Sequence, residues 1–330
     1  MDYSLCGLPL RLECCATSVE RRVMRVLHSL FSLAPFDPSV SGPGIEIRIG
    51  DAAEGSISGE VVFDAPELCS IRTERGYHLR SYESFLSLDL NQGVAVGTLS
   101  DAFLNAPLEE QRGLLLFVFL LLLSARGLYA LHAGGVMSPN GQGVLLAGVS
   151  GSGKTTLTWA LTRSGWSYLS DDSVLLKDTL NGVESLDLGR PFHCAPSMFN
   201  HFPELVAKTS SPATGKRLVE VDSIYPDRIR KVMRPHVILF PEIATESQTR
   251  AIPLSGTETL VHLLKSGAAK LHDRTSMTAQ MAVLARLAGS TRGFRLLHGT
   301  DVHRNPERVA ALVQQLAYSE GECNDLYSAA

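Results

Sequence analysis

The sequence predicts an α/β protein whose larger part is built on a strand, a glycine-rich loop and a helix, preceded by a smaller β-rich α+β N-terminal domain. Three observations carry this. GVLLAG (143–148) runs into a glycine-rich loop, a helix from Lys154 to about Arg163 and a strand SYLSDDSVLL (167–176), the β-α-β unit of a sheet with parallel strands. The segments KVMRPHVILFP (231–241), LVHLLKSG (260–267), an amphipathic stretch at 275–288 and FRLLHG (294–299) continue the alternation. Up to about residue 105, by contrast, short alternating or β-branched runs are separated by Gly, Asn, Asp and Pro, as between antiparallel strands. A length of 330 residues is a prior for two domains, here placed at 1–105 and 106–330.

In chain order, Ser18–Ser32 has helical spacing, with Val19, Val23, Val26, Leu27 and Leu30 on one side. IEIRI (45–49), EVVF (60–63), GYHLRSY (76–82), SFLSLDL (84–90) and GVAVGTL (93–99) read as strands. This N-terminal third carries no cluster of chemical residues and is expected to dock or recognise something. A helix from Leu108 to Gly127 follows, ended by the glycine. Its run Leu114–Leu123 is wholly apolar but bracketed by Arg112 and Arg126, too short for the roughly 20 residues of a membrane span. A helix buried on all sides is expected, with no membrane partner. LYALHAGGVM then pairs with GVLLAG across a turn at Pro139-Asn140-Gly141.

Thirty Lys and Arg against 34 Asp and Glu give a net charge of −4, which argues against non-specific nucleic-acid binding. Six dispersed cysteines without a C-x-x-C pair fit reduced thiols rather than a metal site or disulfide scaffold. MDYSLCGLPLRLECC lacks the basic start and apolar core of a signal peptide, so a cytoplasmic protein is expected.

Chemistry concentrates in Gly148-Val149-Ser150-Gly151-Ser152-Gly153-Lys154-Thr155, which fits G-x-x-x-x-G-K-[ST] at every fixed position. The glycines let backbone N–H groups point inward at a polyphosphate, and the following helix N-terminus adds partial positive charge. Gly148, Ser150, Gly151, Ser152, Gly153, Lys154, Thr155 and Thr156 are the expected nucleotide-binding residues. Lys154 would reach the β- and γ-phosphates, and the Thr155 hydroxyl would ligate Mg²⁺. The cofactors expected are therefore ATP and Mg²⁺.

Asp171 and Asp172 follow Lys154 by 17 and 18 positions, at the expected end of the next strand, where open α/β sheets place ligands. One carboxylate can hold Mg²⁺ while the other accepts a proton from an attacking hydroxyl; a turn-forming Asp pair is the alternative. His132 precedes the loop by 16 residues, and its near-neutral pKa allows either a chemical or a packing role.

The stretch from Leu131 to Leu176 closely resembles the kinase core of the HPr kinase/phosphorylase superfamily: a His-bearing strand, a hairpin, the loop, a helix ending in Gly, then Asp-Asp. The resemblance implies a P-loop core related to phosphoenolpyruvate carboxykinase and phosphorylation of a serine hydroxyl. It implies Asp171 as general base, Asp172 with Thr155 at Mg²⁺, and His132 near the transferred phosphoryl group. The family's downstream E-x-R-G-x-G signature has no counterpart; the nearest stretch is Leu186-Asp187-Leu188-Gly189-Arg190-Pro191-Phe192. That departure points away from the carrier protein HPr and from reverse phosphorylase activity. A peptide or protein client bearing a serine is expected instead, as in relatives that phosphorylate the terminal serine of ribosomal or lasso precursor peptides. Self-association is a further expectation from the resemblance.

Arg190, Lys216 and Arg217 are candidate cations for phosphate or a peptide carboxylate, the last two closing the Ser/Thr/Pro-rich loop 208–215; a solvated basic loop is the alternative. His193, Cys194, His201, His272 and His298 form no metal-ligand spacing and are read as structural. A small-molecule alcohol kinase and a non-catalytic NTP-binding regulatory module are the rival functions. An N-K-x-D base-reading motif is absent from the sequence.

Overall fold

The computed structural model describes residues 2–31, 33–37, 42–50, 57–65, 68–210, 217–266 and 274–318. It is a mixed α/β protein that divides into two compact units. The first comprises Met1–Ala130, Leu188–Arg190 and Lys270–Met281, and the second the remainder. The division thus falls after Ala130 rather than at 105/106: the long apolar helix groups with the N-terminal strands.

The first unit holds β1 (Asp2–Leu5), β2 (Leu8–Cys14), α1 (Thr17–Leu30), β3 (Ala34–Pro35), β4 (Ile45–Ile49), β5 (Glu60–Ala65), β6 (Leu68–Arg72), β7 (Gly76–Ser81), β8 (Ser84–Asp89), β9 (Val94–Thr98), α2 (Asp101–Asn105) and α3 (Leu108–Ser124). The strands form one sheet in the order β3-β1-β2-β4-β9-β8-β7-β6-β5. The run from β5 to β9 is an antiparallel meander, whereas β2, β4 and β9 lie parallel. Every strand foreseen in this region is present. The hairpin β1–β2 was not foreseen: its two-residue turn, Cys6-Gly7, takes positive φ at both positions (52° and 77°), a geometry usually announced by Asn-Gly. Along β4 and β8 every second residue is buried, Ile45, Ile47 and Ile49 and then Leu86 and Leu88. In α3 no residue from 114 to 124 is exposed, as its unbroken apolar run requires. Among the described residues no helix is long and apolar enough to cross a membrane.

After β10 (Leu128–Leu131), the second unit contains β11 (Ala133–Met137), β12 (Gly143–Ala147), α4 (Lys154–Arg163), β13 (Ser167–Ser170), β14 (Val174–Thr179), β15 (Gly182–Asp187), β16 (Phe192–Cys194), β17 (Thr209–Ser210), β18 (Arg217–Val219) and β19 (Val232–Met233). It continues with β20 (Pro235–Ile243), β21 (Arg250–Leu254), α5 (Gly256–Lys265), α6 (Arg274–Ser290, shared with the first unit), β22 (Arg292–His298), α7 (Asp301–Arg304) and α8 (Pro306–Tyr318). Its main sheet has the order β13-β11-β12-β20-β22-β21. β11 runs antiparallel to both β12 and β13, so β12 and β13 point the same way with β11 between them. β20 and β22 are parallel to β12. The segment read as one strand, 167–176, is two: Asp171-Asp172-Ser173 breaks it, and β14 leaves to pair with β15 in another sheet. The Ser170 hydroxyl donates to the Ser173 carbonyl and accepts from the Ser173 N–H, closing that turn.

One apolar cluster seats α4 on the sheet. Leu157, Trp159 and Leu161 pack with Val144 and Leu146 of β12, Val237 and Leu239 of β20, Phe294 and Leu296 of β22, and Val309 and Val313 of α8. The approach is close at Gly134 of β11, where a Cβ would lie 2.6 Å from the buried Thr158 Oγ1 of α4. Gly134→Ala is therefore expected to destabilise the protein by about 1–3 kcal/mol, because neither a central strand nor a buried helix can retreat without loosening its packing. Chemical denaturation measures this; an unchanged midpoint would show that α4 is loosely seated.

Candidate active site

Chain direction gathers the site. The C-terminal ends of β12, β13, β20 and β22 lie at one edge of the sheet, together with the start of β11. The register pairs Ala133, first residue of β11, with Ala147, last of β12, so His132 comes beside the loop it precedes by 16 positions. On the other side of β11, Gly135 pairs with Ser170, which brings the Asp171-Asp172 turn to the same edge. Two glycines side by side in β11 therefore sit between the loop and the carboxylates.

The loop is shaped by Gly148, Gly151 and Gly153, with φ of 158°, 82° and 95°. The last two lie in the left-handed region that side chains disfavour. Lys154, 5% exposed, folds its Nζ back onto the loop and donates to the carbonyls of Gly148 (2.7 Å) and Val149 (2.9 Å). Among the described residues, the buried Ser152 Oγ has no hydrogen-bond partner. A polyphosphate would satisfy such a hydroxyl, and the loop offers the cation and left-handed glycines that phosphate binding needs.

The two carboxylates occupy different environments. Asp171 is 1% exposed; its Oδ1 accepts from the Tyr168 hydroxyl at 3.0 Å and its Oδ2 from the His193 N–H at 3.4 Å. Burial first, and then the charge of Asp171, hold the Tyr168 phenol well above its ordinary range, so it remains an O–H donor. The Asp172 side chain is 30% exposed, and its Oδ1 lies 3.3 Å from His132 Nδ1. Oxygen donors of the Asp172 and Thr155 kind suit a hard divalent cation such as Mg²⁺.

The strand that caps Asp171 also places a predicted cation. His193 lies on β16, which pairs with β18 so that Cys194 faces Arg217. The Arg217 guanidinium lies over the Phe199 ring, 4.7 Å from its centroid. Phe192 of the same strand packs against Trp159 of α4 in a tilted arrangement, with ring centroids 4.8 Å apart. The helix after the loop and the strand beside Asp171 thus share one aromatic contact. Arg190 groups with the first unit, and Lys216 and His272 lie outside the described residues.

Sequence reasoning missed three neighbours. Tyr168 and the His193 backbone reach Asp171 only because β13 and β16 are folded together. His298, read as structural, places Nε2 3.1 Å from the Ser152 carbonyl. Its one available signal was a histidine at the end of a predicted strand in an α/β sheet, where ligand sites collect.

No protein-family model matches the chain, and no curated protein sequence matches it. Among solved structures, that of the HPr(Ser) kinase/phosphatase from Coxiella burnetii is similar over 56% of this chain and 94% of its own, at 16% identity and a TM-score of 0.29. A likeness that loose assigns this chain neither a substrate nor a reaction.

Proposed function

We propose that this protein is an ATP-dependent kinase that transfers the γ-phosphoryl group to a hydroxyl, with a serine of a peptide or protein as the client. The observation that carries the reading is the convergence of a left-handed glycine loop, its buried Lys154, a carboxylate pair and His132 at one sheet edge. The loop residues Gly148, Ser150 to Lys154, Thr155 and Thr156 hold the phosphates. Thr155 and Asp172 hold Mg²⁺, which when bound neutralises phosphate charge. The client oxygen bonds to the γ-phosphorus as the bond to the bridging oxygen breaks, ADP leaves, and the hydroxyl proton passes to Asp171. Lys154 stabilises charge on the transferred group, and His132 orients Asp172. Positioning and electrostatics supply most of the catalysis. Arg190, Lys216 and Arg217 are proposed to meet the client or its phosphate.

Exposure favours a second assignment of the pair. Asp172 is the carboxylate that solvent reaches, so the proton would pass to Asp172 while Asp171 organises the turn. Asn variants at each position separate the two.

The test is γ-labelled ATP with candidate serine peptides and mass spectrometry of the products. Label on a peptide serine is expected. Label on a soluble alcohol alone would make the protein a small-molecule kinase. ATP binding without transfer to any acceptor would support a regulatory module.

A further inference from the structure

His298 ends β22 and is 6% exposed, with its ring against the phosphate-type loop. Its Nε2 lies 3.1 Å from the Ser152 carbonyl oxygen. That oxygen can only accept, so Nε2 must carry the proton. The contact is tight from the loop side too: a Cβ on Gly153, whose φ is 95°, would fall 2.2 Å from Nε2.

The backbone that carries the ring is held from behind. The Ala244 N–H donates to the His298 carbonyl at 3.0 Å. The next N–H, of Gly299, donates to Thr249 Oγ1 at 3.2 Å. Thr249 in turn donates through Oγ1 (2.6 Å) and N–H (2.8 Å) to Asp301, which also accepts from Arg308 at 2.8 Å. A frame this well bonded anchors the His298 main chain, and so the root of its side chain, beside the loop.

In a trans peptide the C=O and the following N–H point in opposite directions, and no peptide among the described residues is cis. Fixing the Ser152 carbonyl toward His298 therefore turns the Gly153 N–H away from the ring. We propose that His298 is a positioning residue for polyphosphate binding: its Nε2–H fixes the Ser152–Gly153 peptide so that the Gly153 N–H is presented to a bound phosphate. Burial holds the imidazole below its ordinary pKa, so it contributes a hydrogen bond and no charge. The inference rests on the nucleotide-binding reading above and adds to it a residue from a strand about 145 positions away in sequence.

The experiment uses the full chain and three proteins: wild type, His298→Met, which keeps side-chain bulk without a donor, and His298→Gln, whose amide can donate to the same carbonyl. Affinity for MgATP is measured by equilibrium titration, and each ligand-free protein is melted alongside. His298→Met is expected to weaken MgATP binding about fivefold, because the Gly153 N–H is no longer held toward the phosphate, and to lower the ligand-free melting temperature modestly, because a buried hydrogen bond is lost. His298→Gln is expected to recover most of that affinity. A His298→Met protein that binds as tightly as wild type, or a Gln variant as weak as the Met variant, overturns the positioning role and leaves the loop assignment standing. If folded wild type binds no MgATP at all, both the loop assignment and this inference fall.

Discussion

Lys154→Ala is expected to lower phosphoryl transfer by about 10³-fold and to weaken ATP binding as well. Lys154 is 5% exposed, and its ammonium is already inside the loop, bonded to the Gly148 and Val149 carbonyls. A polyphosphate would exchange those two neutral acceptors for charged oxygens, so that the ammonium gains an ion pair in place of contacts with carbonyl dipoles. Alanine removes the cation and its bonds to two loop carbonyls, of which that of Val149 keeps the Ser152 N–H at 3.3 Å, so ground-state binding and transition-state stabilisation both fall. Lys154→Arg is not expected to rescue it. A planar guanidinium is larger than a point-like ammonium and does not fit a loop already closed around Nζ. Titration with ATP and transfer from γ-labelled ATP measure the two effects; near-wild-type values in the alanine variant would take Lys154, and with it the loop, out of the mechanism.

Asp171→Asn is expected to separate the same two quantities. ATP affinity should stay near the wild-type value, whereas transfer should fall by about 10²–10⁴-fold, the usual contribution of a positioned base. The variant is isosteric but changes the hydrogen-bond chemistry. Both Asp171 oxygens face donors, the Tyr168 hydroxyl and the His193 N–H, so one donor of the buried pair would meet an NH₂ group. A stability loss of about 1–3 kcal/mol should accompany the kinetic effect, and urea unfolding reads it directly. Assays therefore belong at a temperature where the variant is folded. Full transfer by Asp171→Asn, together with its loss in Asp172→Asn, would move the proton to the exposed carboxylate and establish the second assignment.

The parts of the site that the sequence made legible are those encoded within a few residues of each other. A strand leading into G-x-x-x-x-G-K-T and then a helix is a local pattern, and the structure has β12, the loop and α4 in that order. The N-terminal strands were legible for the same reason, since period-two alternation is written in each segment. The Asp171-Asp172 turn was expected to end a strand and does, but its continuation into β14 was misread. Val174, Leu175 and Leu176 carry the β-forming, apolar character of the strand before the turn, and nothing local says that they belong to another sheet.

The sequence by itself determined the strand–loop–helix core, the buried character of α3 and the identity of the loop cation, because periodicity, glycine placement and residue type act over short range. Only the tertiary structure decided that β11 lies between β12 and β13, bringing His132 to Asp172. It likewise decided that Asp171 is buried under Tyr168 and β16, and that His298 stands behind Gly153. Strand order and register come from packing an entire apolar core at once, and a core of that kind constrains residues far apart in the chain without marking any of them locally.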